Sequence, residues 1–259
     1  MKSGKFLFLS FALIVTVFRF GETVRADLNA QEIVNRYNSA SGGTSLLYTY
    51  SSTGNEVTIS QRSGYNFVDT SAYAQGVTGN STYYKAFCVE PTGGVSTSME
   101  AKLNYANGKS QTSDGYALSL GAAYLYKEFA VGTLDGFNYT DSGQRSSDSY
   151  ALRAAIRTLM GINPISNWST NTYLSQLLAD NPDMDYWKQI YDPGKYYDEI
   201  GNYSVFVMNC FMNNGDSNGQ DFLYIAKAEG SVPEPTSLLL WGMGSLGLFG
   251  IKRSRKHRK

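Results

Sequence analysis

NYSVFVMNCFM (202–212) and QDFLYIAKA (220–228) flank a turn through Asn218-Gly219. Val205, Val207 and Phe206, Met208 fall on alternate faces of an extended chain, and the second run alternates in the same way. Asn-Gly supplies the left-handed backbone that a tight hairpin needs, so the two runs are expected to pair antiparallel. Working backwards, SLLYTYSS (45–52), NEVTISQ (55–61) and YYKAFCVE (83–90) are short aromatic or alternating runs separated by Gly, Ser and Asn, and they read as further strands.

The period changes in the middle of the chain. SLGAAYLYKEFAVG (119–132) and SDSYALRAAIRTLMG (147–161) carry apolar residues at three and four spacing. They read as helices, the second capped by Ser147 or Asp148. Shorter helical stretches are expected at Thr172–Asp180 and Met184–Tyr191. Strands, then helices, then strands predict an α+β domain with antiparallel pairing and a central group of short helices.

Both ends of the chain have another character. Lys2 and Lys5 precede an apolar stretch from Phe6 to Phe18, and Val24-Arg25-Ala26 suits a signal peptidase, so residues 1–26 read as a signal peptide and the mature chain begins near Asp27. At the C-terminus, Val232-Pro233-Glu234-Pro235 leads into an uncharged run of 16 residues, Thr236 to Ile251. As a helix that run reaches about 24 Å against a hydrocarbon core of about 30 Å. It reads as a short single transmembrane helix. The cationic cluster of Lys252, Arg253, Arg255, Lys256, Arg258 and Lys259 holds its far end in the cytoplasm and leaves the preceding domain outside.

The exported domain is therefore residues 27–231, long enough for one core. The whole chain is formally neutral, but between Asp27 and Ser231 lie 12 basic and 20 acidic residues, a surplus of eight negative charges. Such a balance argues against nucleic acid as a partner. The only histidine, His257, lies in the tail, so the domain contains no imidazole base for a Ser-His-Asp or Cys-His arrangement and lacks the commonest metal ligand. With 20 tyrosines in the chain and many small polar residues, the domain has the composition of an adaptable binding surface, with carbohydrate among the ligands it suits. High strand propensity of Tyr is the other reading of the same fact.

The C-terminal residues resemble the PEP-CTERM signal of exported bacterial proteins. Val232, Pro233, Glu234 and Pro235 stand as the motif, 236–251 as the transmembrane part and 252–259 as the basic tail. The resemblance implies recognition by an exosortase-type membrane protease, transient anchoring in the inner membrane, removal of the tail, and release to the outer envelope or extracellular matrix of an organism that makes exopolysaccharide or biofilm. The prolines hold the motif extended, the form that proteases bind.

Cys88 and Cys210, the only cysteines, both lie in expected strands. In an exported domain they read either as a disulfide closing a long loop or as two buried thiols. The stretches Lys85–Glu90, Ala122–Tyr126 and Ala151–Ile156 resemble the Cys-Gln thioester domain family of bacterial surface proteins. The resemblance implies an internal thioester between a strand Cys and a helix Gln, but the position matching that Gln is Arg153, which has no carboxamide to exchange with Cys88. The pair is read as degenerate.

Asn214–Asp221 has oxygen side chains at alternate positions like the start of a calcium loop. It begins with Asn, and Ile225 stands where a bidentate Glu belongs, so the hairpin turn is the better reading. Asp180, Asp183 and Asp185 read as a helix end and cap, and no metal set or cofactor is implied. The expected function is a non-enzymatic envelope or matrix protein associated with polysaccharide. The alternatives are a polysaccharide-acting enzyme using two carboxylates and a surface adhesin that has lost its thioester glutamine.

Overall fold

The structure is a computed structural model that describes residues 30–35, 37–38, 46–50, 56–60, 83–90, 98–140, 142–193, 195–196, 200–201, 203–212 and 219–227. The chain divides after Ala228, and every described residue belongs to the first unit. Its strands are β1 (Leu46–Tyr50), β2 (Glu56–Ser60), β3 (Tyr83–Phe87), β4 (Ser98–Asn104), β5 (Tyr203–Met212) and β6 (Phe222–Lys227). Helical residues at 30–35 and 37–38 form α1. The other helices are α2 (Leu120–Val131), α3 (Ser142–Leu159), α4 (Thr172–Asp180) and α5 (Met184–Lys188). The α+β expectation holds.

The six strands pair antiparallel in the order β3-β2-β1-β4-β5-β6. The two outer strands then meet: Cys88 bridges Phe222, and the Val89 amide donates to the Asp221 carbonyl at 2.9 Å. This curls the sheet toward a closed barrel and covers edges that would otherwise offer unpaired amides. Side chains sort by the strand period of two. Val57, Ile59, Ala86, Cys88, Met99, Ala101, Leu103, Phe206, Met208, Cys210, Phe222, Tyr224 and Ala226 form one buried cluster with Ala30, Ile33, Val34 and Tyr37 of α1. Phe87, Val89, Val205, Val207, Leu223 and Ile225 point the other way, into a larger cluster built with α2, α3, α4 and α5. Burial on both faces explains why β5 and β6 are apolar nearly throughout.

Two elements, β4 and α1, lie in stretches with no expected strand or helix. SMEAKLN, which forms β4 between β1 and β5, is made largely of good helix formers. In α1, Ala30, Ile33, Val34 and Tyr37 recur at helical spacing and pack on the sheet, with Asn38 and Leu103 exchanging two hydrogen bonds of 2.9 Å.

On the outer face, α2 buries eight of its twelve residues; Ser119 caps it by accepting from the Ala122 amide, and Gly132 ends it in the left-handed conformation. Gly121 lets it lie close to its neighbours, since a Cβ there would stand 2.9 Å from Leu159 and 3.1 Å from the Trp187 carbonyl. The Tyr126 hydroxyl reaches the carbonyls of both Lys85 and Leu223 at 3.1 Å, one on each side of the seam between β3 and β6.

α3 corrects the expected cap. The helix starts at Ser142, so Ser147 and Asp148 are interior, and Asp148 accepts from the Asn138 amide and from Gln144. The added turn carries Arg145 to Glu56 of β2 (2.8–3.2 Å), and Ser149 donates to the same carboxylate. α4 matches its expectation, while α5 ends at Lys188 instead of Tyr191 because Ile190 bridges Ser119 and the Tyr191 amide donates to Leu118.

Candidate functional site

Residues near the barrel seam and the outer face of α3 bring together the chemistry of the domain. Cys88 follows β3, and Arg153 lies over it on α3, its Nε donating to the Cys88 carbonyl at 3.3 Å. The two residues of the degenerate pair are thus in contact, through a carbonyl and a guanidinium. The Cys88 thiol faces the Glu90 carbonyl at 3.6 Å. Burial pushes its pKa up, against smaller lowering by a hydrogen bond from the Glu90 backbone and by the charges of Arg153 and Arg157, so the thiol rather than the nucleophilic thiolate is favoured.

Cys210 is also buried, and its thiol is pushed well above the usual range by burial and by the nearby Asp221 and Glu90. The disulfide reading is corrected here, because both cysteines are free. The topology gives the reason: Cys88 bridges Phe222 of β6, and Phe222 in turn faces Met208 of β5, so a whole strand separates the cysteines. Two strand spacings are about 10 Å, beyond the roughly 7 Å that a disulfide tolerates between alpha carbons.

A cavity of about 530 Å³ opens beside Arg153. Tyr150, Arg153 and Arg157 project into it from α3 at a spacing of three and seven residues, which places them on one helical stripe. Asn163, Thr170 and Thr172 line the opposite side. The Ile165 amide donates to Thr158, and Asn171 donates to the Ala151 carbonyl at 2.8 Å while capping α4, so this wall is tied to α3. Tyr150 is 67% exposed. The Arg157 Nε is buried and has no hydrogen-bond partner. Burial, then the charge of Arg153, holds the Arg157 guanidinium below its usual pKa. The sequence reading reached Arg153 but missed Tyr150 and Arg157. The signal was their common stripe in YALRAAIR, which becomes meaningful only once the following loop folds back to make a second wall.

The third feature is a pair of carboxyls. Glu90 and Asp221 are 1% and 0% exposed, and the Asp221 amide donates to Glu90 at 3.3 Å. Asp221 also accepts from the Ser113 amide (2.6 Å), Asn209 Nδ2 (2.6 Å) and the Cys210 amide (3.0 Å). Burial first, then the charge of Asp221 and a hydrogen bond to it, pushes Glu90 up to about 7. A raised carboxyl beside a second one is what a glycosidase needs, but there the two stand roughly 5 to 9.5 Å apart around the scissile bond. Here they touch and are sealed from solvent. Their bonds tie the 113–114 turn to β5 and to the start of β6.

Close packing shapes this corner of the hairpin. The Gly219 amide donates to the Cys210 carbonyl at 2.8 Å, and a Cβ on Gly219 would stand only 2.8 Å from that oxygen. The calcium-like stretch from Asn214 to Asn218 lies outside the described residues. Among those described, no group of three His, Cys, Asp or Glu side chains could hold a metal ion. Asp183 caps α5 by accepting from the Asp185 amide at 2.9 Å, as expected of a helix cap.

The expected signal peptide at 1–26, the motif Val232–Pro235, the apolar run and the basic tail all lie outside the described residues. Among those described, no helix is long and apolar enough to cross a membrane. The chain matches no curated protein and no solved structure. Residues 231–256 match the PEP-CTERM protein-sorting motif, so the chain carries the address of an exported, transiently membrane-anchored exosortase substrate.

Proposed function

We propose that this chain is a non-enzymatic protein of the outer envelope or extracellular matrix, released there by an exosortase and associated with exopolysaccharide in a biofilm. The carrying observation is the sorting motif at 231–256 with its apolar run and basic end in order. Signal peptidase would remove the first 26 residues, freeing an acidic domain outside the cytoplasm. The absence of an imidazole base from that domain, and the burial of Glu90 against Asp221, support a binding role over a hydrolytic one. The contact of Arg153 with Cys88 supports a second element of this reading: a thioester-type scaffold kept for its architecture, with its electrophile gone.

The test is to recover the protein from its own host, with and without the exosortase, and to measure its intact mass and its retention on host polysaccharide. Loss of residues before Asp27 and of the C-terminal tail is expected only when the exosortase is present. Polysaccharide should be retained without shortening of its chains. A full-length tail on the released protein, or depolymerisation of the polysaccharide, would overturn the reading. No loss of the mass of ammonia is expected, since no thioester forms.

A further inference from the structure

The cavity beside α3 is lined by two arginines, Arg153 and Arg157. A buried guanidinium N–H without an acceptor is costly, and native proteins rarely leave one unsatisfied. The Arg157 Nε is such a group, buried and without a hydrogen-bond partner. Arg153 adds a second positive charge one helical turn away, and the two guanidiniums repel each other. Among the described residues lining the cavity, no side chain is acidic. An oxyanion entering between the arginines that line the cavity would meet their guanidiniums and relieve the repulsion, in the geometry that guanidinium forks favour.

A bare ion would leave most of the cavity unused. Its volume of about 530 Å³ is that of a site for a small organic molecule. Tyr150 exposes its ring beside the arginines, a flat apolar surface of the kind on which a pyranose ring stacks. Thr170, Thr172 and Asn163 are exposed opposite it, with hydroxyl and amide groups suited to sugar hydroxyls.

We propose that this cavity binds a carboxylate-bearing sugar residue of an acidic polysaccharide, the carboxylate meeting Arg157 and Arg153 and the sugar ring lying on Tyr150. The inference deepens the proposed polysaccharide association and rests on it. The exported domain as a whole, with its surplus of eight negative charges, repels a polyanion. Attraction is then confined to the cavity, since charges farther than about 8 Å are screened at physiological salt. Binding should be saturable at one site.

The test is calorimetric titration of the full chain, in mild detergent, with a hexuronate trisaccharide, a neutral hexose trisaccharide of the same linkage, and inorganic phosphate. The uronate should bind at least about tenfold tighter than the neutral sugar. Arg157→Gln should remove that preference. Tyr150→Ala, at a side chain too exposed to hold the fold, should weaken the uronate and leave phosphate unchanged. Thermal melting of each variant separates lost binding from lost folding. Equal binding of both sugars with no effect of Arg157→Gln would overturn the site while leaving the polysaccharide association standing. Phosphate binding as tight as uronate, with Tyr150→Ala silent, would overturn the sugar assignment. No retention of host polysaccharide and no binding of either trisaccharide would overturn the site together with the reading beneath it.

Discussion

The Asp221 amide donates to the Glu90 carboxyl inside the barrel seam, and the two acidic side chains meet there with almost no exposure to water. Glu90 is pushed up to about 7, by burial first and then by Asp221, from an ordinary 4.5. The folded protein therefore keeps a proton that the unfolded chain releases above about pH 4.5. For this group the sign is unfavourable with rising pH: its contribution is best below pH 4.5, falls as pH rises toward 7, and is level above. Glu90→Gln, neutral at every pH, should gain stability relative to the wild type across that window, by up to about 3 kcal/mol. Urea titrations of both proteins at intervals between pH 4.5 and 8 would show it. A difference that stays flat over the window would contradict the shared burial of the two carboxyls.

Closure of the sheet leaves a second, independent signature at Tyr126. Its fully buried hydroxyl serves the carbonyls of Lys85 and Leu223, which belong to the two strands that meet at the seam. Tyr126→Phe keeps the ring and its packing with Phe87 and Phe129 but removes the one buried donor that the two carbonyls share. The expected loss is about 1 to 2 kcal/mol. Amide exchange should rise at the seam, at Val89 above all, before it rises in the β4–β5 pairing. Uniform acceleration across the sheet would mean that the seam is not a separate weak point.

The places where sequence and structure part company are physical ones. β5 and β6 announce themselves because both of their faces are buried, so the apolar pattern is strong. β4 lies just as centrally, yet SMEAKLN has Met, Glu, Ala, Lys and Leu, whose intrinsic preference is helical, and its strand state comes from pairing with Val207–Met212 and Leu46–Leu47. The cavity was hidden for a related reason. Tyr150, Arg153 and Arg157 look like an exposed helical stripe until the segment ending at Thr172 supplies the opposite wall. The Glu90–Asp221 contact joins residues 131 positions apart, and local patterns carry no trace of it.

Between β2 and α3 a buried ion pair makes a different prediction. Arg145 grips the Glu56 carboxylate with two nitrogens, and Arg145 also donates to the Tyr139 carbonyl at 2.6 Å. Lys85 lies nearby, its Nζ donating to Thr58 at 2.7 Å, with a pKa lowered by burial against the opposing pull of Glu56. Removing one member of the pair leaves an uncompensated charge, so Arg145→Met or Glu56→Gln alone should each cost about 3 to 5 kcal/mol. The double variant should cost clearly less than the two single losses together. A double-mutant cycle by denaturant unfolding measures this coupling, and additive losses would show that the pair does not act as a unit.

The last prediction concerns the two thiols. Cys88 and Cys210 face the same buried cluster but are separated by β6, and burial raises the pKa of both. Each then resists oxidation and alkylation for two reasons: little thiolate is present, and reagent cannot reach it. Native protein exposed to iodoacetamide at pH 8 should therefore take up no label, whereas unfolded protein should take up one label at each cysteine, read by intact mass. Air oxidation of the folded chain should remove no hydrogen. Opening the seam is the one route to reaction, so Tyr126→Phe should speed labelling of Cys88, whose strand forms the seam, more than that of Cys210. Equal acceleration at both sites would tie reactivity to global unfolding, and a native protein lacking two hydrogens would place the strands closer than this sheet allows.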